Sequence, residues 1–214
     1  MNYAEGTKQM AALRARIAQT RAEMRKLQQE TAPQEVPDYA LATTAGPVTL
    51  SALFGAKRDL FVVHNMGSGC PYCTLWADGY NGVYEHLADR ASFVVTSPDA
   101  PDKQERFARS RGWRFPMASH QGTSFASDMG YRSAEGGWLP GISAFKREGA
   151  RILRVNDTGL QPGDDFCMAW HLFDLLPEGA AGWGPRFAYD RGGAAGNHAG
   201  GCSDGMAQVS CSAR

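Results

Sequence analysis

Two cysteines three apart, Cys70 and Cys73, with Pro71 and Tyr72 between them, are the residues of this chain best suited to chemistry. A C-x-x-C pair has two mechanistic readings. In the redox reading the pair sits at a strand-to-helix turn. The first thiol then falls at the helix N-terminus, where unpaired backbone N–H groups and the helix dipole favour a thiolate. The second lies one turn inside and can attack the mixed disulfide formed at the first. Pro71 suits this geometry, because proline at the first helical position sacrifices no hydrogen bond and presets φ. In the metal reading the pair supplies two ligands, and structural zinc wants four. The candidates for the other two are Cys167 with His171, or His198, Cys202 and Cys211. Cys167 and His171 are four apart on an expected helix and share a face. The tail residues form no second C-x-x-C or H-x-x-x-H. Cys167 therefore reads as a small buried apolar residue, His171 as a helix-surface histidine, and the tail cysteines as exposed thiols or a bridge between the two.

The elements that must position the pair are legible around it. Asp59–His64 is a continuous apolar run, the mark of a strand covered on both faces. Gly67-Ser68-Gly69 breaks it just before Cys70. From Pro71 to Arg90 the spacing turns helical, with Leu75, Trp76, Tyr80, Val83, Tyr84 and Leu87 as the buried face. Ser92–Ser97 predicts a second buried strand, closed by Pro98, and Asp102 begins a charged helix that ends near Gly112. The stretch 114–138 carries proline, glycines and several Ser and Thr residues, and little regular structure is expected there. From Pro140 a strand runs into the charged turn Lys146-Arg147-Glu148-Gly149 and a return strand at Arg151–Asn156. Asp164–Leu176 reads as a last helix, with Phe166, Ala169, Trp170, Phe173 and Leu176 inward. Alternating strands and helices followed by a hairpin give a mixed sheet with helices on both faces.

Two extensions flank this α/β domain, which spans 38–177. Residues 1–37 hold a helix over 5–31, whose stripe of Met10, Leu13, Ile17, Thr20, Met24 and Leu27 recurs at three and four. That helix is expected to lie on its own domain, or else to form a homodimer seam. Residues 178–214 are glycine-rich and without period, a loose wrap or partly disordered. Lys+Arg 22 against Asp+Glu 22 leaves no net charge, which argues against nucleic-acid or anionic-membrane binding. No apolar run spans a bilayer, and no secretory signal opens the chain, so a cytoplasmic location is expected. Five cysteines in that setting are free or redox-active thiols rather than a disulfide framework.

GCPYC between a buried strand and a helix resembles the thioredoxin-like superfamily, and Cys70-Pro71-Tyr72-Cys73 is the tetrapeptide of many dithiol glutaredoxins. PGISAFKREGARI, from Pro140, is similar to the thioredoxin segment in which a cis-proline opens a strand and a K-x-x-G turn makes the hairpin. The resemblance implies that Pro140 packs against the active-site sulfurs, with the backbone beside it pairing with a bound substrate strand. The long N-terminal helix, the GCPxC turn, WADGYNG (76–82) and GWRFP (112–116) together resemble a bacterial thioredoxin-like group of unassigned function over roughly residues 8–176. Thioredoxins bury a carboxylate six residues before the first cysteine to move protons to the resolving thiol. That offset here holds His64, which could act as the relay near neutral pH or simply bond to backbone at a strand end. Trp76 either covers the site or belongs to the core. Two positions depart from related patterns: Gly69 stands where many thioredoxins have Trp. Gly67 stands where peroxiredoxins have Thr or Ser, although Ser68 could partly substitute.

The expected architecture is a thioredoxin-like three-layer sandwich. The expected activity is thiol–disulfide oxidoreduction, with Cys70 as nucleophile, Cys73 as resolving thiol, and Gly69, Pro71, Tyr72, Trp76 and Pro140 around the substrate groove. Its partners would be protein or small-molecule thiols and disulfides. No organic cofactor is implied, because electrons enter and leave as thiols. The alternatives are a non-catalytic binding or dimerising protein on the same fold, or a metal site at the pair.

Overall fold

The computed structural model describes residues 1–189. In chain order the elements are α1 (Tyr3–Glu30), β1 (Gln34–Val36), β2 (Ala40–Thr43), β3 (Gly46–Thr49), α2 (Leu50–Leu53), β4 (Asp59–His64) and α3 (Pro71–Arg90). They continue with β5 (Ser92–Ser97), α4 (Pro101–Arg111), β6 (Met117–Ser119), α5 (Phe125–Asp128), β7 (Gly141–Glu148), β8 (Arg151–Gly159) and α6 (Met168–Phe173). All eight strands form one sheet in the order β1-β8-β7-β4-β5-β6-β2-β3.

The centre of the sheet is parallel. β4 pairs with β5 and β5 with β6, while β7 runs antiparallel to β4 and turns back as β8. The successive crossovers through α3 and α4 step the same way across the sheet, and both helices cover one face. Period-two alternation then divides the strands between two cores. Phe61, Val63, Phe93 and Val95 pack beneath α3 with Trp76, Tyr80, Trp113 and Trp170. Leu60, Val62, Val94 and Phe145 face the other way, against Phe54 and Phe125 from the α2 and α5 segments. The chain is thus a thioredoxin-like three-layer α/β fold, with a hairpin, β2–β3, added at one edge and β1 at the other.

Several expectations change against the structure. Residues 114–138 are more ordered than their composition suggests. β6 is too short to show a period, but it pairs in parallel with β5, and Phe125 of α5 is fully buried. The last helix is only Met168–Phe173. Trp170 is its buried anchor, whereas Phe166 and Leu176 are exposed. Trp183 closes over that anchor, its ring 5.8 Å from Trp170 and 4.8 Å from Phe173, and Phe187 packs on Phe107. The N-terminal helix forms as predicted, and a capping box starts it: Asn2 Oδ1 accepts from Glu5 N–H, and Glu5 from Asn2 N–H. It touches its own domain only through polar contacts such as Arg21–Asp165 and does not bury its apolar stripe there. None of its residues is buried, and the stripe from Met10 to Leu27 stands in solvent.

Candidate active site

The turn 65–70 carries the chain from the end of β4 into α3, and its shape is dictated by two short side chains. Asn65 Oδ1 accepts from Gly67 N–H at 2.8 Å, an Asx-type turn. Gly67 has φ +105°, and a Cβ there would come within 3.1 Å of Asp99 Oδ2, so only glycine fits. Asp99, at the end of the neighbouring strand, accepts from Ser68 N–H at 2.7 Å and from Lys103 Nζ at 2.7 Å. Its partial burial would raise its pKa, but the bonds from Lys103 and Ser68 outweigh that and hold the carboxyl below the usual range. The anion serves as a clamp under the turn.

Cys70 is the N-cap of α3. Its Sγ accepts from Cys73 N–H at 3.1 Å, and Thr74 Oγ1 donates back to the Cys70 carbonyl at 2.9 Å. Pro71 occupies the first helical turn, as expected. Both cysteines are free thiols. The two are electrostatically opposite. A hydrogen bond from the Cys73 thiol is the main cause that lowers Cys70 from 9.0 to about 7; partial burial opposes it, and the N–H groups of Cys73 and Tyr72 assist. Cys73 is buried, donates to Cys70 and faces its negative charge, all of which push its own pKa far up. Met66 N–H points at Cys73 Sγ from 3.5 Å. The pair therefore keeps the inner sulfur protonated, while the half-exposed outer one is about half thiolate near pH 7.

The other expected site residues are distributed less simply. Gly69 is exposed, with open space where a side chain would be. Tyr72 is half-buried and folds back, its ring 6.3 Å from Trp170 and 6.4 Å from Trp76, with its hydroxyl close to Gly184. Trp76 is core. It is 2% exposed, and its Nε1 donates to Asp164 Oδ1 at 3.3 Å. Register pairs Gly141 with His64, which puts Pro140 just past the end of β4, at the same end of the sheet as the thiols. The expected cis bond is absent: no peptide bond among the described residues is cis, so Leu139–Pro140 is trans. The backbone there is also engaged within the fold, since Pro140 O accepts from Leu160 N–H and Leu139 N–H donates to Tyr131 O.

His64 does not reach the thiols. It is on the Leu60–Val62 side of β4, opposite α3, because each step along a strand reverses the face. There its Nε2 bonds Ser143 Oγ at 2.9 Å, and its ring stacks 3.9 Å from Tyr131. Burial, then the neighbouring His120 and Arg154, lower its pKa well below the ordinary histidine value, so it is a neutral core residue. Asn65, one step on, is the strand-end side chain that does touch the pair: its Nδ2 lies 3.5 Å from the Cys73 carbonyl. Neither Asn65 nor Asp99 was a sequence candidate. Asn65-x-Gly67 could have signalled the turn, but nothing local links Asp99 to it.

Cys167 is buried at the start of α6, as expected for a small apolar residue, and burial raises its pKa. It caps that helix rather than sharing a face with His171, which is exposed and paired with Asp165. Among the described residues no group of three or more His, Cys, Asp or Glu is placed to hold a metal. His198, Cys202 and Cys211 lie outside the described residues. Among the described residues no helix is long and apolar enough to cross a membrane.

Fold and dithiol turn together define a thioredoxin-like protein. The chain belongs to the family described as bacterial protein of unknown function (DUF899), whose family model matches residues 4–187. No curated protein matches it. Among solved structures it is similar to a cysteine-to-serine mutant of PrxQ from Xylella fastidiosa, with a TM-score of 0.52 and 14% identity over 62% of this chain and 89% of that one. Reduced Prx3 from Vibrio vulnificus gives 0.51 and 13% over 63% and 89%. Peroxiredoxin Q from Xanthomonas campestris gives 0.50 and 18% over 57% and 80%. At these identities the likeness is one of fold.

Proposed function

We propose that the protein is a dithiol–disulfide oxidoreductase in which Cys70 is the nucleophile and Cys73 the resolving thiol. The observation that carries this is the split between the two sulfurs: Cys70 is lowered to about 7 and half-exposed, and Cys73 is buried and held protonated. The Cys70 thiolate attacks one sulfur of a substrate disulfide, and the other leaves as a thiolate. Cys73 then gives up its proton and attacks Cys70, closing the Cys70–Cys73 disulfide and releasing the second substrate thiol. Two electrons pass to the substrate, and the protein is recharged by an external dithiol. Because the attack removes the charge on Cys70, it also removes what held the Cys73 proton in place. The pair is thereby self-timed.

Substituting Cys70→Ser should abolish turnover of a disulfide substrate, and Cys73→Ser should accumulate a mixed disulfide visible by mass. Full reductase turnover by Cys70→Ser would overturn the assignment. The peroxiredoxin names of the structural neighbours favour a second reading, peroxide reduction at the same thiolate. In it, Cys70 takes one peroxide oxygen as a sulfenic acid, an alcohol or water leaves, and Cys73 condenses to the disulfide with loss of water. Gly67, where that chemistry's pattern has Thr or Ser, weighs against it. Parallel assays with hydrogen peroxide and with a small aromatic disulfide separate the two.

A further inference from the structure

Two apolar surfaces of this chain lie next to each other and neither is covered. One is the α1 stripe. A helix of 28 residues draws its stability mainly from packing, yet Met10, Leu13 and Ile17 are 48%, 47% and 50% exposed. The other is a groove of about 840 Å³ between α3 and the α6 segment, walled by Leu75, Val83 and Leu87 on one side and Phe166, Met168 and Leu172 on the other. Arg21, which flanks the stripe, reaches Asp165 on the groove's lip at 2.5 Å, so the stripe and the groove adjoin. No α1 residue lines the groove.

We infer that the chain is a two-fold homodimer in which α1 of each copy lies in the α3–α6 groove of the other. Dimensions agree: Met10 to Leu27 spans about 26 Å along a helix axis, and Leu75 to Leu87 about 18 Å, which the α6 segment extends. Charge agrees as well. α1 carries Lys8, Arg14, Arg16, Arg21, Arg25 and Lys26 against three glutamates, whereas the groove lip presents Asp174 beside His171 and Asp165, the latter bonded to Arg21 of its own copy. So does area. A fully exposed aliphatic side chain offers on the order of 100 Å². Some nine half-exposed ones from stripe and groove would thus bury about 450 Å² of apolar surface per copy, which at about 60% apolar is roughly 800 Å². That is about the share of each partner in a standard stable interface.

Light scattering after size exclusion on the full chain tests this, with two variants at exposed positions, Ile17→Asp and Leu172→Asp, and circular dichroism to check each fold. The wild type should run as two copies of 23.1 kDa. Each variant alone should run as one copy, because each spoils both seams of its homodimer. An equimolar mixture should regain a weaker, concentration-dependent dimer through the one intact seam, where the stripe of Leu172→Asp fits the groove of Ile17→Asp. A monomeric wild type would overturn the inference and point to a different partner. A dimer that survives Leu172→Asp would also overturn it, in favour of α1 pairing with α1. A mixture that associates no more than either variant alone, even at the highest concentration, would equally overturn it.

Discussion

Asp99 Oδ2 accepts the Ser68 N–H at 2.7 Å, and this bond ties the end of β5 to the turn that presents Cys70. The carboxylate has no contact with the sulfur in the structure; it acts through the backbone beneath it. Removing it leaves Ser68 N–H without its acceptor and releases Lys103. Asp99→Ala should therefore cost about 1.5–3 kcal/mol, the range for a hydrogen bond to a charged group. It should also slow alkylation of Cys70 at pH 7, because the cap geometry that holds the thiolate loosens. Asp99→Asn keeps an acceptor and should recover most of the alkylation rate. Denaturant unfolding and iodoacetamide kinetics check both; an unchanged rate in Asp99→Ala would show that the clamp does not position the thiol.

The Cys73 proton sets the pH at which Cys70 becomes reactive. With Cys70 lowered from 9.0 to about 7, its thiolate fraction is one half near pH 7 and falls about tenfold for each unit below it. Alkylation of Cys70 should trace that curve. In Cys73→Ala the largest cause of the lowering is gone while the backbone N–H groups remain, so the midpoint should move up toward the ordinary thiol value. A midpoint that stays near 7 would assign the shift to the helix terminus alone.

The strand, turn and helix around the thiols were readable in advance because each is encoded locally. The Asp59–His64 and Ser92–Ser97 runs match β4 and β5 residue for residue, and Pro71 marks the start of α3. What escaped reading is encoded in contacts between strands. Asp99 reaches the turn only because β5 lies beside β4, a pairing no local pattern specifies. The 114–138 segment hid β6 because three residues cannot display a period, and their parallel partner is far away in sequence. Of the two roles open to His64 the sequence could not choose, because an offset counted along the chain says nothing of which face of the sheet a side chain occupies.

Gly141 shows how tightly that far face is packed. A Cβ at this position would stand 1.9 Å from Tyr131 Cε1, and the Tyr131 ring is the one stacked on His64. The Tyr131 hydroxyl, 3.1 Å from the Ile142 carbonyl and 3.2 Å from that of Thr158, resists any swing aside. Gly141→Ala should destabilise the fold by about 1–3 kcal/mol or more, as overpacking does. Gly69→Ala, at an exposed position with open space around it, should be close to neutral. Thermal unfolding of the pair of variants makes the comparison; equal effects would mean that the ring yields freely.

His64 and His120 give the core a definite response to acid. Burial lowers both below the ordinary value, and each leaves Nδ1 without a partner. The folded state therefore binds fewer protons than the unfolded state, whose histidines titrate near 6.5. The stability held by neutral burial is fully present above about pH 6.5 and is lost as the pH falls below it, by up to about 1.4 kcal/mol per unit for each histidine. Urea midpoints should fall between pH 7 and pH 5.5 in the wild type, and less steeply in His64→Asn, which keeps a partner for Ser143 and removes one titrating group. Alkylation of Cys70 in that variant should retain the wild-type pH midpoint, because the imidazole sits across the sheet from the thiols. An altered midpoint would restore His64 to the proton path; an unaltered acid slope would mean that its protonation does not limit the fold.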